Sequence, residues 1–159
     1  MASGMETMDD ASLSADERMR NSPLAEDLSF LLARANALAL AAGNLALAGH
    51  GLRVRSYSVL ALVVDEIRPS QRDLAAFLRL DPSQVVALVD DLQERGLVRR
   101  EANPADRRTN VVVATTEGRE LFGAAQRDTR AAERELHAHV APAQRAALSE
   151  LLELIAFPT

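Results

Sequence analysis

The sequence contains no cysteine and no tryptophan, and aromatic residues make up only 3% of it. Without cysteine, the chain has no disulfide and no thiol-based redox switch. It also lacks a glycine-rich phosphate loop, a Cys/His metal cluster and a nucleophile turn, so we expect neither an enzyme nor a bound cofactor. His137 and His139 are two residues apart, so on a helix they point in different directions and form a poor metal chelate.

Signals for export or membrane insertion are also missing. The N-terminus carries Glu6, Asp9 and Asp10 where a secretory signal has a basic segment followed by an apolar one. No uninterrupted apolar run approaches the ~20 residues that a spanning helix needs. We therefore expect a cytoplasmic protein without a membrane partner.

Lysine is absent too, so all 18 basic residues are arginine, and the net charge is −5. Residues 51–114 hold ten arginines and nine carboxylates, a net charge of +1, which leaves −6 for the other regions. Such a balanced segment has only weak and salt-dependent affinity for nucleic acid in general. Any specific binding must therefore depend on a few well-placed arginines.

Residues 70–96 contain two short helices with clear start signals. Ser70 is followed three residues later by Asp73, which is the spacing of a capping box. Asp81 precedes a proline and stands three residues before Gln84, so the second helix begins in the same way. Only two residues separate the helices, which predicts a sharp turn of the helix-turn-helix kind.

The second of these helices has one apolar face and one face of short side chains. The apolar positions follow helical spacing and are Val85, Leu88, Val89 and Leu92. The opposite face could approach base edges in a DNA major groove, and its candidate contacts are Ser83, Gln84, Val86 and Ala87. The start of the first helix adds Ser70, Gln71 and Arg72. An ordinary solvated face explains this pattern equally well by itself.

A β-hairpin is predicted directly after these helices. Two β-prone segments, 97–102 and 109–114, flank a turn that contains Asn103, Pro104 and Asp106. Guanidinium groups suit phosphates and a narrow minor groove, and the segment supplies Arg95, Arg99, Arg100, Arg107 and Arg108. The alternative is that these arginines only keep an exposed edge soluble.

Three short motifs occur in a specific order: Gly96-Leu97-Val98-Arg99-Arg100, Asp106-Arg107-Arg108 and Thr115-Thr116-Glu117-Gly118. Together they resemble the wing signature of the MarR (multiple-antibiotic-resistance regulator) family, with a resemblance that covers roughly residues 24–156. The resemblance implies that Asp106 braces the wing through a salt bridge and that Arg108 enters the minor groove. Asp91 departs from the family pattern, where a basic residue is common.

The fold class implied is mainly α with a small β-hairpin wing, a winged helix-turn-helix with long N- and C-terminal dimerisation helices. We expect a mobile tail over 1–21 and one domain over 22–159, with dimerisation helices over 22–50 and 116–156 around a DNA-binding lobe at 56–114. The apolar seam of the first long helix is Leu24, Leu28, Leu31, Ala35, Leu38, Ala42 and Leu45. That of the last helix is Leu148, Leu151, Leu152 and Ile155.

The segment 56–67 is ambiguous from its residues. Residues 59–64 are all apolar, and periodicity does not separate a buried strand from a buried helix in such a run. The β-branched valines favour a strand. The family resemblance implies a central helix instead, and we adopt that interpretation.

A small-molecule pocket is predicted where the first long helix, its following loop and the central helix meet the long helix that follows the wing. Its polar candidates are Arg34, Asn44, His50, Arg53, Arg55 and Tyr57. Apolar walls with a few polar groups are typical of ligand clefts, and an arginine would suit the carboxylate of an aromatic acid. The alternative is that each is an ordinary surface residue near a loop.

These features predict a homodimeric, sequence-specific DNA-binding transcriptional regulator. We expect a ligand-responsive repressor that binds a pseudo-palindromic operator. Its partners would be double-stranded DNA, a second copy of itself and a small aromatic or phenolic effector. The alternative is a winged-helix protein-interaction module without specific DNA binding, which the overall acidity and Asp91 favour slightly.

Overall fold

The computed structural model describes residues 14–65, 67–104, 106 and 108–158. Backbone contacts divide the chain into a unit that ends at Leu38 and a unit from Ala39 onward. Most of the segment predicted to be a mobile tail lies outside the described residues. Its end, however, forms helix α1 (Ala15–Arg20), which Ser14 and Glu17 start with a capping box.

The helix predicted over 22–50 is interrupted near its start. A short 3-10 helix (Pro23–Glu26) comes first, and α2 (Leu28–Leu47) begins after Asp27. The Asp27 backbone is extended, and its carboxylate accepts a hydrogen bond from the Phe30 N–H at 2.8 Å. Asp27 therefore caps α2 and separates it from the proline-led turn.

The expectation that no helix is long and apolar enough for a membrane is wrong. The stretch Leu28–His50 passes that test by length and composition. Single polar residues such as Asn36 and Asn44 interrupt its apolar runs. No uninterrupted run is therefore long, although the mean hydropathy of the stretch is that of an apolar helix. Helices that pack against other protein surfaces have the same composition, so the test does not assign this one to a membrane.

The second unit is a helical bundle that carries one β-hairpin. Its remaining helices are α3 (Val54–Val64), α4 (Gln71–Leu78), α5 (Pro82–Glu94), α6 (Thr116–Leu136) and α7 (Pro142–Ala156), and its strands are β1 (Val98–Ala102) and β2 (Asn110–Ala114). The helix implied for the central segment is confirmed. Val59, Leu60 and Val63 of α3 are fully or almost fully buried, so packing on one helical face overrides the strand propensity of valine.

The hairpin is antiparallel and is attached to the start of α4. Val98 pairs with Ala114 at one end and Ala102 with Asn110 at the other. The Val112 N–H donates to the Pro69 carbonyl at 2.9 Å, just before α4. The wing predicted from the sequence is therefore present and is fixed to the helix-turn-helix.

The predicted capping box at the start of α4 is formed as expected. The Asp73 N–H donates to Ser70 Oγ at 3.2 Å, and the Ser70 N–H donates to the Asp73 carboxylate at 2.9 Å. Hydrogen bonds from Ser70 to the ionised carboxylate lower the pKa of Asp73.

The start of α5 differs in detail from the prediction. Asp81 accepts from the Ser83 N–H at 2.8 Å, where the sequence predicted a box with Gln84. This hydrogen bond, together with one from the Ser83 hydroxyl, lowers the pKa of Asp81. The turn between the two helices is closed by Arg79, whose backbone is left-handed with φ 54°.

Thr115 and Gly118 fix α6 against the exit of α5. Thr115 Oγ1 accepts from the Gly118 N–H at 3.0 Å and donates to the Gly96 carbonyl at 2.7 Å. A Cβ added at Gly118 would overlap the backbone carbonyl of Leu97. The Thr-x-x-Gly motif therefore allows a close approach that no larger residue permits.

Gly118→Ala is expected to destabilise the fold by roughly 1–3 kcal/mol, the usual range for overpacking a close contact. Gly123 lies in the same helix, and a Cβ there meets no atom within 4 Å. Gly123→Ala should instead stabilise the fold by about 0.5–1 kcal/mol, because alanine favours helix. Urea denaturation of the wild type and both variants measures the two changes; equal losses at the two positions would contradict this account of Gly118.

Candidate nucleic-acid interface

The outer face of α5 is formed by the residues that the sequence pattern selected. Val85, Val89 and Leu92 are completely buried against the core. Ser83, Gln84, Val86 and Ala87 are exposed on the first turns of the helix. Because α5 is held by its apolar side, this short polar and apolar surface is available to a partner.

Arg100 joins the three elements beside that face. Its Nε donates to Gln71 Oε1 on α4 at 2.7 Å, and its Nη1 donates to Gln93 Oε1 on α5 at 3.1 Å. Its Nη2 lies 2.6 Å from Asp90 Oδ1, also on α5. The Arg100 side chain is only 25% exposed, so this guanidinium binds protein groups and positions α5 relative to α4 and β1.

A second cluster lies along β1. Arg99 donates to Glu101 at 2.6 Å, and Arg68 donates to the other oxygen of the same carboxylate. Hydrogen bonds from the two guanidinium groups lower the pKa of the Glu101 carboxyl, and that from Arg99 has the larger effect. Arg99 nevertheless stays 58% exposed, so it can also face an anionic partner.

Asp106 orders the wing tip through two hydrogen bonds from the backbone. Its carboxylate accepts from the backbone N–H of Arg108 at 3.0 Å, and its carbonyl accepts from the Thr109 N–H at 3.0 Å. Within the described part of the chain, Asp106 forms no ion pair. Asp106 thus shapes the turn through the backbone, and the side chain of Arg108 is exposed. Arg107 lies outside the described residues.

The three candidates at the start of α4 are not equivalent. Ser70 caps the helix, and Gln71 accepts the hydrogen bond from Arg100. Arg72 is exposed on the first turn. A cation at this position can reach an anionic partner without breaking an internal contact.

Two of the three carboxylates on α5, those of Asp90 and Asp91, have cationic neighbours. Asp90 pairs with Arg100 at 2.6 Å, and Asp91 lies 3.6 Å from Arg95. The Arg95 guanidinium also donates to the backbone carbonyl of Gly51 at 2.8 Å. Local pairing reduces the repulsion that these carboxylates would exert on a phosphate backbone.

A cavity of about 250 Å³ lies between α2, α3 and α6 in the second unit. Most of its lining is apolar, and its polar members are Tyr57, Thr129, Glu133 and His137. Thr129 Oγ1 lies 3.4 Å from Tyr57 Oη, and the Tyr57 ring stacks on Phe122 with centroids 5.4 Å apart. No arginine is among these lining residues, so the expected carboxylate partner is missing from the described lining.

The residues predicted to line one pocket lie at several separate places. Tyr57 lines the cavity, whereas Asn44 accepts from the Val54 N–H at 3.0 Å and so starts α3. Asn44 and Arg53 line a separate depression, and His50 lies 2.7 Å from Asp128. Two further candidates, Arg34 in the first unit and Arg55 on α3, are exposed.

Sequence reasoning placed the pocket against α6 but named none of the α6 residues that line the cavity. Thr129, Glu133 and His137 are spaced by four residues and therefore share one face of a helix. Helical spacing could have grouped them, but it does not show that the face lines a cavity. Among the described residues, no group of three or more His, Cys, Asp or Glu side chains is placed to hold a metal ion.

Comparisons with known proteins agree with this architecture. The family model "MarR family" matches residues 50–109. A MarR-family transcriptional regulator from Rhodococcus sp. RHA1 is 43% identical, with 87% of this chain and 99% of that chain covered and a TM-score of 0.82. CouR from Rhodococcus jostii RHA1, bound to p-coumaroyl-CoA, is 44% identical, with coverages of 87% and 98% and a TM-score of 0.79.

Two further relatives are more distant. A transcriptional repressor CouR bound to a 23-mer DNA duplex is 29% identical, with coverages of 84% and 95% and a TM-score of 0.78. A putative transcriptional regulatory protein for the hcr operon of Thauera aromatica is 28% identical over 97 residues, which are 61% of this chain and 58% of that protein. The identity to the Rhodococcus regulator over nearly its whole length, together with the winged helix-turn-helix, shows that the chain belongs to the MarR family of DNA-binding transcription regulators.

Proposed function

We propose that this MarR-family regulator is a homodimeric, effector-responsive repressor that reads a pseudo-palindromic operator. The observation that carries the proposal is the exposed start of α5 beside an arginine-bearing wing, both attached to one core. In this proposal residues 56–114 contact DNA. The segments 22–50 and 116–156 pair two copies.

Base contacts are assigned to the outer face of α5. Ser83 and Gln84 carry hydrogen-bonding groups that can read base edges in the major groove. Val86 is 40% exposed and offers a methyl surface to thymine, while the small Ala87 lets the backbone approach. Arg72 on α4 would contact a phosphate and fix the register of the helix.

The wing is assigned to the adjacent minor groove. Arg108 would enter the groove with Arg107, where a narrow A·T-rich segment concentrates negative potential. Asp106 holds the turn that presents Arg108. The DNA-bound CouR repressor, 29% identical to this chain, supports a role of this fold in operator binding.

Self-association is proposed because α2 and α7 leave large apolar side chains in solvent. Every residue of α7 is exposed, including its stripe of Leu148, Leu151, Leu152 and Ile155. Leu31, Leu38 and Leu45 are exposed on α2. Exposed apolar stripes of this kind are typical of a protein interface, and a two-fold dimer covers them with equivalent surface.

The effector is proposed to bind in the cavity between α2, α3 and α6. Its volume of about 250 Å³ accommodates one aromatic ring, and its polar groups are Tyr57, Thr129, Glu133 and His137. A carboxylate beside Glu133 would be repelled, so the buried end of the effector should carry a hydroxyl or another neutral donor. The thioester of an aromatic acid with coenzyme A has no free carboxylate on the acid and fits this requirement. The p-coumaroyl-CoA bound to CouR, a 44% identical relative, is a compound of this kind.

In this proposal the effector releases DNA because it binds two forms of the dimer with different affinities. An effector that prefers dimers with a changed spacing of the two recognition helices shifts the population away from the DNA-binding form. It lowers operator affinity by no more than the ratio of its affinities for the two forms.

DNA recognition is tested by selecting an operator from a random duplex pool and titrating it at several salt concentrations. Arg108→Glu should weaken specific binding by on the order of tenfold or more and flatten the salt dependence, since a cation is removed from the groove. Arg130→Glu makes the same charge change on α6 and should bind nearly as the wild type does. Equal, weak binding of all sequences by the wild type would contradict the proposal and favour a protein-interaction module.

The effector site is tested with p-coumaroyl-CoA as the probe. It should raise the melting temperature, because a ligand stabilises the state that it binds. At a concentration of 100 times its Kd, the free energy of unfolding increases by about 2.7 kcal/mol. It should also release the operator. Ala132→Leu places extra volume in the cavity and should abolish both effects, whereas Ala131→Leu on the exposed side should not. An unchanged melting temperature, or a full response of Ala132→Leu, would contradict this assignment.

A further inference from the structure

The end of the recognition helix α5 is anchored by a side chain that the sequence assigned to DNA. Arg95 follows the last residue of α5, and its Nη1 donates to the Gly51 carbonyl at 2.8 Å. Its Nη2 donates to the His50 carbonyl at 3.2 Å. One guanidinium therefore binds two consecutive carbonyl groups of the loop between α2 and α3.

The backbone of that loop is shaped to receive Arg95. Gly51 has a left-handed φ of 64°, and a Cβ there would lie 3.2 Å from Arg95 Nη2. Any larger residue would crowd the guanidinium and strain the backbone. The glycine thus allows the two carbonyl groups to converge on one cation.

The same loop is held on its other side by α6. His50 Nε2 lies 2.7 Å from Asp128 Oδ2, and the His50 side chain is only 17% exposed. Asp128 immediately precedes Thr129, which lines the cavity between α2, α3 and α6. His50 also follows Leu47, the last residue of α2 and another lining residue, by three positions.

We propose that Arg95, His50 and Asp128 form a positioning relay between the cavity wall and the recognition helix. Arg95 is a positioning residue in this relay, and it acts through the loop instead of through a phosphate. A shift of α6 or of the end of α2 moves the loop carbonyl groups and, with them, the end of α5. The inference rests on the proposed function, because it names the route by which the effector cavity reaches the DNA-binding face.

Replacing Arg95 by lysine distinguishes a phosphate contact from the anchor to the two loop carbonyl groups. An ammonium group keeps the charge and can bind a phosphate, but it does not reproduce a planar fork that donates to two fixed carbonyls. Arg95→Lys therefore retains a phosphate contact and loses the relay. Asp128→Asn removes the carboxylate that holds His50 and changes nothing on α5.

The test compares Arg95→Lys, Asp128→Asn and the double variant on the selected operator and on unrelated DNA. Each single variant should weaken operator binding by on the order of fivefold, with unchanged non-specific binding and an unchanged salt slope. The double variant should be no weaker than the weaker single variant, because both break one relay. Asp91→Asn removes a carboxylate that lies 3.6 Å from Arg95 but has no contact with His50, so it is the matched control and should retain the operator preference.

Three results would overturn the relay: wild-type affinity of Arg95→Lys, wild-type affinity of Asp128→Asn, or strictly additive losses in the double variant. A second measurement does not depend on DNA. Amide hydrogen exchange in the last turn of α5, residues 91–95, should be faster in Asp128→Asn than in the wild type, and unchanged protection would also overturn the relay. If the wild type prefers no DNA sequence, the proposed function has failed, and exchange alone then decides whether the relay exists.

Discussion

One guanidinium joins α4, α5 and the wing. Arg100 on the wing strand donates to Gln71 on α4 and to Gln93 and Asp90 on α5. The hydrogen bond from the Val112 N–H to the Pro69 carbonyl also joins the wing to the start of α4, and apolar packing sets the separation of the elements. The directional, charge-assisted hydrogen bonds of Arg100 add to these contacts and link α4, α5 and the wing through one side chain.

An acidic protein that binds DNA needs its negative charges kept away from the phosphates or matched locally. Both solutions occur here. Asp90 and Asp91 lie on the recognition helix, yet each has an arginine within 4 Å. Those arginines are occupied by the protein, so under the proposed function the positive charge available to DNA comes from exposed groups such as Arg72 and Arg108. A protein with this charge distribution gains little affinity from non-specific electrostatic attraction, so its DNA binding depends on contacts to particular bases and phosphates.

Local signals in the sequence predicted the helix-turn-helix and the wing, because caps, turns and strand alternation depend on residues close together in the chain. Ser70 caps the helix that it was expected to cap. The roles of Arg95 and Arg100 could not be predicted in this way, since their acceptors are supplied by segments distant in sequence. The same reason applies to the cavity, whose α6 wall contains Thr129 and Glu133, residues with no local motif. The helix of residues 59–64 required the family resemblance.

The central claim is that two copies of one rigid reading surface are held at a fixed separation by the exposed apolar helices. Hydroxyl-radical footprinting on the selected operator tests it most directly. The account predicts two equal protected tracts related by a two-fold axis, with centres about one helical turn, or roughly 10 base pairs, apart. A single protected tract, or uniform protection along the duplex, would contradict it.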